Sequence, residues 1–468
     1  MSVEVRVGLW QNAFSIKMKS KLILINPWIY DFAAYDLWSK PLGLLTLAGF
    51  LRSRGCNVHL IDCLDVHHPA MASSPSLKKP VRRRYGTGKF WRERVPKPPP
   101  LKHVSRSYSR YGISRQVFVE DLKAVKEPAA ILVTSLMTYW YPGVREAIAL
   151  AKETHPRVPV ILGGVYARLC REHALQFSGA DGVVSQGNPA HTEFVLSVLE
   201  PFGISLKGTF QDNNVSYPAF DLLRRIDYVC LLSSIGCPFR CQYCASHFLN
   251  PGFEQRDPDR VVKEILFWHE NYGIKNFTFY DDALLLHSDT HLAVILEKLI
   301  KLDLGLRFHT PNGLHVREIT PQMAGLLHRS GFRTIRLGLE TSDLDRHKGM
   351  DQKISEGEFE KAVRHLKDAG FPKQEIGAYI LMGLPGQPVE SVIDTVKFVA
   401  ETGAMPYLAE YSPLPHTPMW QTAIDYSDYD LASEPLFHNN TLLPCWSADE
   451  RARVPELKRM VREGRQAG

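Results

Sequence analysis

No apolar run in this chain approaches the roughly 20 residues that a bilayer-spanning helix needs. Residues 1–6 also lack the basic, apolar and small-residue layout of a secretory signal. Cysteine is scarce: eight occur in 468 residues, and three of them fall in one short stretch. That pattern argues against a disulfide framework and for a reducing compartment. Charge of one sign is not in excess either. Lys and Arg number 56 against 50 Asp and Glu, a formal net charge of +6, milder than in domains built to bind nucleic acid. Internal repeats and long low-complexity tracts are missing. These absences leave the expectation of a soluble, cytoplasmic, globular protein. Its length suits two or three domains, and its 44% hydrophobic content is enough for sizeable cores.

The chemistry is concentrated in Gly236-Cys237-Pro238-Phe239-Arg240-Cys241-Gln242-Tyr243-Cys244. Cys237, Cys241 and Cys244 follow the spacing C-x3-C-x2-C, and a loop this tight can aim three thiolates at one point. Thiolates hold iron–sulfur clusters. Three of them leave one iron of a four-iron cubane open to a substrate or cofactor. A structural zinc usually takes four protein ligands, commonly as two separated pairs, and no second pair lies nearby. Three unrelated loop cysteines are the plain alternative.

The spacing, with the aromatic Tyr243 before the last cysteine, resembles the signature of the radical S-adenosylmethionine superfamily. Residues 228–235 read as a buried strand and resemble that family's first barrel strand, with the cysteine loop at its C-terminal end. The resemblance implies a 4Fe-4S cluster on Cys237, Cys241 and Cys244. Its open iron would chelate S-adenosylmethionine, and one electron would yield a 5′-deoxyadenosyl radical. The protein's part is then to position and shield its cofactors.

Downstream, strand and helix patterns alternate, with strands at 276–280, 307–313, 334–341, 377–387 and 406–411. Together with the first strand they make a partial (β/α)6 barrel, whose C-terminal strand ends are where barrels place chemistry. Asp281 and Asp282 close the second strand. The resemblance gives one of them the ammonium of S-adenosylmethionine, although Asp282 could equally be a helix N-cap. Asn312 is a candidate ribose or substrate contact. In the fourth strand, alternation puts Arg336, Gly338 and Glu340 on one face, and an inward Glu is costly unless paired. This stretch resembles the family's Gly-Leu-Glu-Thr/Ser element, which makes Glu340 a cofactor contact. Glu340 and Arg336 are also candidate catalytic residues. Gly383 would let backbone approach the adenine. In the tail, 431–468, Cys445 is a candidate for the chemistry, with a structural thiol as the alternative. Cys56, Cys63, Cys170 and Cys230 read as structural.

Ahead of the barrel, strands at 22–27, 57–62, 129–135, 158–164 and 182–184 alternate with helices at 41–55 and 142–154. This reads as a doubly wound parallel sheet, which binds ligands outside its C-terminal strand ends. Ser135, Gly163 and Gly164 stand at those ends. Together with the cysteines downstream, the layout resembles the cobalamin-binding domain that precedes many radical S-adenosylmethionine enzymes. The Asp-x-His-x-x-Gly motif that supplies a lower cobalt ligand is missing, so a bound cobalamin would lack that histidine. The expected domains are 1–204, a linker at 205–222, the barrel at 223–430 and a tail packing on it. Residues 65–123 interrupt the first domain without clear periodicity. Their Arg, Tyr, Trp and Gly suit a lid over 82–112 that binds an anionic substrate, an RNA contact, or a solvated basic loop.

These readings predict a cobalamin-dependent radical methyltransferase acting on an unactivated carbon. It would use a small-molecule or peptide substrate and an electron donor such as flavodoxin or ferredoxin, with no membrane and no nucleic-acid partner. The alternatives are a cobalamin-free radical enzyme of ring formation or rearrangement, and an iron–sulfur RNA-binding or regulatory protein.

Overall fold

The computed structural model describes residues 3–5, 20–72, 78–187, 192–204, 216–351 and 353–466. The chain divides into two compact units, Met1–Ile226 and Asp227–Gly468. Among the described residues, no helix is long and apolar enough to cross a membrane.

In the first unit, five parallel strands are β1 (Lys21–Asn26), β2 (Asn57–Asp62), β3 (Ala130–Val133), β4 (Val160–Leu162) and β5 (Gly182–Val184). They pair in the order β2-β1-β3-β4-β5, and the strand Val3–Val5 adds antiparallel to β5. Leu22 to Ile25 are wholly buried, as a central strand covered on both faces requires. Helix Leu42–Ser53 turns Leu44, Leu45, Ala48 and Leu51 inward, and Gly55 follows at φ +82°, where glycine is at home. The strand order reverses between β1 and β3, so the ligand crevice of such a sheet opens at their C-terminal ends.

Residues 65–123 are more regular than their sequence suggests. Strands Ile29–Asp31, Ser109–Tyr111 and Arg92–Arg94 form a three-stranded antiparallel sheet, and helix Arg115–Ala124 is the crossover leading to β3. Three-residue strands are too short to show a period. Trp91, Tyr108, Tyr111 and Arg110 are buried there and serve packing, whereas Arg83, Arg84, Arg92, Arg94 and Arg106 are exposed. Residues 73–77 of this segment, and 205–215 of the expected linker, lie outside the described residues. The described end of that linker belongs to the first unit. A Cβ on Gly49 would stand 2.1 Å from the Tyr217 carbonyl oxygen, so glycine there lets the segment lie on helix Leu42–Ser53.

The second unit is a six-stranded parallel sheet in sequential order: β6 (Val229–Leu231), β7 (Asn276–Phe279), β8 (Arg307–His309), β9 (Phe332–Glu340), β10 (Ile376–Met382) and β11 (Met405–Glu410). β6 and β11 are its edges, which makes it a partial barrel. Helix Pro258–Tyr272 shows how sequence sets an element: Asp257 caps it by accepting from Arg260 N, Pro258 opens it and Gly273 ends it at φ +68°. Phe279, Phe308 and Phe332 pack with ring centroids 5.4–5.9 Å apart. Burying each contributes about 2 kcal/mol.

One expectation changes here. The strand expected over 228–235 breaks after Leu231, and Ser234–Gly236 pairs instead with Phe253–Gln255. The tail ends in two helices, Ala448–Ala452 and Val454–Gln466. Pro455 explains the break, because its ring would clash with the carbonyl four residues earlier in a continuous helix. Helix Val454–Gln466 packs on β11 and on helix Val389–Thr402.

Candidate functional site

The cysteine loop leaves the hairpin at Gly236, whose φ of +81° and close approach to Gly252 exclude a side chain. An added Cβ would stand 2.2 Å from the Gly252 carbonyl oxygen. Cys241 is buried, Cys237 and Cys244 are half-buried, and all three are free thiols. The loop is tied down on two sides, by Gln242 N donating to Met350 O (2.9 Å) and Met419 N donating to Gln242 O (3.0 Å). Burial pushes the Cys241 thiol up to about 11, against the pull of the Lys353 ammonium, which donates to it. Burial also raises Cys237, and Cys244 raises it further.

Among the described residues, no three His, Cys, Asp or Glu side chains converge where one metal ion could sit. A single zinc requires such convergence. A cubane takes each thiolate on a different iron, so it accepts donors spread around it. Three free thiols on one anchored loop, with an ammonium against one of them, are chemically suited to such a cluster.

Asp281 and Asp282 part company. Asp281 is buried and accepts from Ser233 N (3.0 Å), Ser233 Oγ (2.7 Å) and Ser234 Oγ (2.7 Å). It clamps the turn between β6 and the cysteine hairpin. Among the described residues Asp282 accepts a single hydrogen bond, from Ser246 Oγ at 2.9 Å. Burial raises its pKa. It caps no helix, since the next helical element is the 3-10 turn Ser288–Thr290, capped at His287. Asn312 ties the same strand ends together, donating to Tyr280 O (2.8 Å) and Asp281 O (3.2 Å).

Glu340 sits where β9 bulges: the pairing register slips between Gly338 and Glu340, and Glu340 adopts φ +66°. A non-glycine residue held there is strained, a feature that clusters at functional sites. Its Oε1 would lie 3.2 Å from a Cβ on Gly338, so glycine leaves the room that its carboxylate occupies. Burial raises the Glu340 carboxyl to about 7, with the Lys353 ammonium opposing the rise.

Around Glu340 stands a set that the sequence reading missed. His347 Nδ1 and Asp351 Oδ1 are 2.7 Å apart, with both side chains almost fully buried. His347 Nε2 meets Thr341 O at 2.8 Å, and Asp351 accepts from the Tyr243 hydroxyl at 3.2 Å. Burial alone would lower Lys353, but Glu340, Cys241 and Asp351 hold it above the ordinary lysine value. Burial also raises the Tyr243 phenol well above its usual range. The i,i+4 spacing of His347 and Asp351 was a readable signal. Nothing local marked Lys353.

Other expected residues lie apart from this group. Cys445 is buried among Leu381, Leu384, Tyr411 and Leu431. Its thiol donates to Ala423 O at 3.7 Å, and burial pushes it up to about 12. A thiol so hard to ionise is a poor nucleophile, and its task is packing. Gly383 holds φ +92°, and a Cβ there would stand 2.7 Å from Leu443 Cδ2. Arg336 is four residues before Glu340 on β9 and stacks on Tyr407.

In the first unit, Ser135 Oγ donates to Gly163 O at 2.7 Å. Gly164, at φ +96°, is needed by the protein itself: a Cβ would stand 2.3 Å from Ser135 O. Gly163 differs, since a Cβ there would meet only Val184 Cβ, at 3.9 Å.

Residues 231–399 match the Radical SAM superfamily. An uncharacterized methyltransferase, PH0819, from Pyrococcus horikoshii is 23% identical over 345 residues, covering 67% of this chain and 74% of the relative. The anaerobic magnesium-protoporphyrin IX monomethyl ester cyclase of Rubrivivax gelatinosus is 25% identical over 191 residues, covering 40% of this chain and 33% of that one. Among solved structures, the radical S-adenosylmethionine methyltransferase TsrM from Kitasatospora setae, with cobalamin and a [4Fe-4S] cluster bound, superposes with a TM-score of 0.61 at 14% identity. That superposition covers 96% of this chain and 89% of TsrM. The doubly wound sheet and the partial barrel thus have the folds seen in that two-domain structure, and residues 231–399 of the chain carry a Radical SAM superfamily domain.

Proposed function

We propose that this enzyme is a cobalamin-dependent methyltransferase acting on an unactivated carbon. The observation that carries the reading is the N-terminal sheet in the order β2-β1-β3-β4-β5, ahead of the cysteine loop, in a fold shared along nearly the whole chain with a cobalamin-bound methyltransferase. When bound, the cluster and S-adenosylmethionine supply a carbon-centred radical, and cobalamin supplies a carrier for the methyl group.

The chain's own residues do the rest. Cys237, Cys241 and Cys244 hold the cluster, and Lys353 offsets their negative charge. Asp282 is the carboxylate left to accept an ammonium group. Tyr243 and Glu340 line the same place, with Asn312 bracing the strand ends behind them. Gly163 is the position where backbone stays open to a flat ring, because nothing but Val184 stands near a Cβ there. Ser135 and Gly164 support it from within. Electrons come from a small carrier such as flavodoxin or ferredoxin, and the substrate is a small molecule or peptide.

The test is anaerobic purification and reconstitution with iron, sulfide and cobalamin. The expected protein carries about four irons that the triple Cys→Ala variant loses. It retains a cobalamin whose visible spectrum is base-off. A protein that keeps the cluster but no cobalamin after gel filtration would leave the second reading, a cobalamin-free radical enzyme of ring formation. The cyclase relative favours that reading.

A further inference from the structure

Two guanidinium groups share one tyrosine ring at the open edge of the barrel. On β9, Ile335, Leu337 and Leu339 are buried apolar residues, the pattern of a face covered by helices. Arg336 alternates to the other face. The pairing register carries that face across β10 and β11, through Gly338, Tyr379 and Tyr407. Arg336 Cζ lies 4.2 Å from the Tyr407 ring centroid, and Arg465 Cζ lies 3.9 Å from it. Arg465 comes from helix Val454–Gln466 and donates through Nε to Pro406 O at 2.9 Å, on the edge strand. Arg336 donates to the Tyr407 hydroxyl at 3.2 Å and to Ile335 O at 2.8 Å.

The arrangement is built into the sequence. A Cβ on Gly377 would stand 2.7 Å from Tyr407 Cε2 and 2.9 Å from Arg336 Nη1, so glycine reserves the space for the stack. Tyr379 is fixed beside it, its hydroxyl donating to Pro311 O at 2.6 Å. Yet neither arginine forms an ion pair among the described residues. Two half-buried cations repel each other, and a ring face offsets only part of that cost. An anion offsets the rest. The planar forks of two arginines suit the oxygens of a carboxylate or phosphate.

We propose that Arg336 and Arg465, clasping Tyr407, form an anion cradle at the open edge of the barrel, and that it anchors a substrate bearing a carboxylate or phosphate. The proposal rests on the reading of this barrel as the place where a substrate is handled. It names that substrate's class. Arg336 lies four residues from Glu340, about 13 Å along an extended strand, so the substrate is elongated, with its anionic end away from the Glu340 mouth.

Anion binding needs no cluster, so the test is independent of the methyltransferase reading. The full-length chain, before and after reconstitution, is titrated calorimetrically with inorganic phosphate and, separately, with succinate. Chloride at matched ionic strength is the control. Saturable binding is expected, and the two titrations show which anion is preferred. Arg336→Met and Arg465→Met should each weaken it about tenfold or more, while Arg336→Lys and Arg465→Lys keep part of it and report that the fold is intact. Phenylglyoxal labelling of Arg336 and Arg465, read by mass spectrometry, should fall when the preferred anion is present. The proposal is overturned by wild-type protein that binds neither anion saturably, or by labelling that no anion reduces. It is also overturned if Arg465→Met melts earlier yet titrates as wild type, because Arg465 then only holds its helix on β11.

Discussion

The Lys353 ammonium lies 3.4 Å from the hydroxyl of Tyr243, the residue just before the third cysteine. The same ammonium donates to Cys241. It is thus a fixed positive charge against the proposed cluster ligands. The potential of a cluster follows the charge and hydrogen bonds around its sulfurs. Lys353→Met should shift the reconstituted cluster's midpoint to more negative values, on the order of tens of millivolts. Electron paramagnetic resonance during a redox titration measures this, and a midpoint equal to wild type would show that Lys353 faces something else.

Glu340 predicts a pH dependence whose sign can be worked out. Its folded carboxyl is raised to about 7 from an ordinary value of 4.5, chiefly by burial. The folded protein therefore holds that proton more tightly than the unfolded chain does. The stability this contributes is complete below the unfolded value and is lost as pH rises through about 7. Its size is up to about 3 kcal/mol, less what water screens. Cofactor-free protein should melt progressively lower between those two pH values, and Glu340→Gln should flatten that part of the curve. Parallel curves for the two proteins would remove Glu340 as the titrating group.

Much of this was legible in the sequence because it was encoded locally. β2 and β5 fall where their apolar runs put them, and helix Pro258–Tyr272 is written in Asp257, Pro258 and Gly273. What escaped depends on residues distant in the chain. Glu340 and Arg336 fit an alternating strand, but the bulge that turns Glu340 to φ +66° has no local signature. Lys353 becomes a site residue only because the chain after helix Leu344–Met350 lies against the cysteine loop, where Met350 O accepts from Gln242 N. Asp281 and Asp282 are adjacent and chemically alike, and only the position of Ser233 and Ser234 assigns one to the scaffold. The short strands of the insertion take their identity from pairing with Ile29–Asp31, far upstream.

That difference between the two aspartates is testable. Asp281→Ala strands the buried donors of Ser233 and Ser234, which should cost about 3 kcal/mol or more. A urea melt followed by circular dichroism should show the loss. Asp282→Asn keeps the shape of a group held by a single hydrogen bond from Ser246 among the described residues, so its melt should match wild type within about 0.5 kcal/mol. Its defect should appear instead as weaker S-adenosylmethionine binding at unchanged iron content. Equal melts for the two variants would mean that the clamp on the hairpin turn does not matter.

The glycine pair of the N-terminal sheet separates folding from binding in the same way. Gly164 holds φ +96°, and an added Cβ would stand 2.3 Å from Ser135 O and 2.5 Å from Ser135 N. Those atoms are backbone and cannot swing aside. Left-handed strain alone costs about 1–3 kcal/mol, so Gly164→Ala should destabilise the first unit by at least that much, with or without cobalamin. Gly163 has neither constraint: a Cβ there meets only Val184 Cβ, at ordinary van der Waals distance. Gly163→Ala should therefore fold like wild type, within about 0.5 kcal/mol. If a corrin ring lies against this strand end, the same methyl group, or the bulk of Gly163→Leu, should lower the cobalamin retained after gel filtration while the melt stays put. Full retention in Gly163→Leu would place the cofactor elsewhere on the sheet, and a Gly164→Ala protein as stable as wild type would contradict the close approach to Ser135.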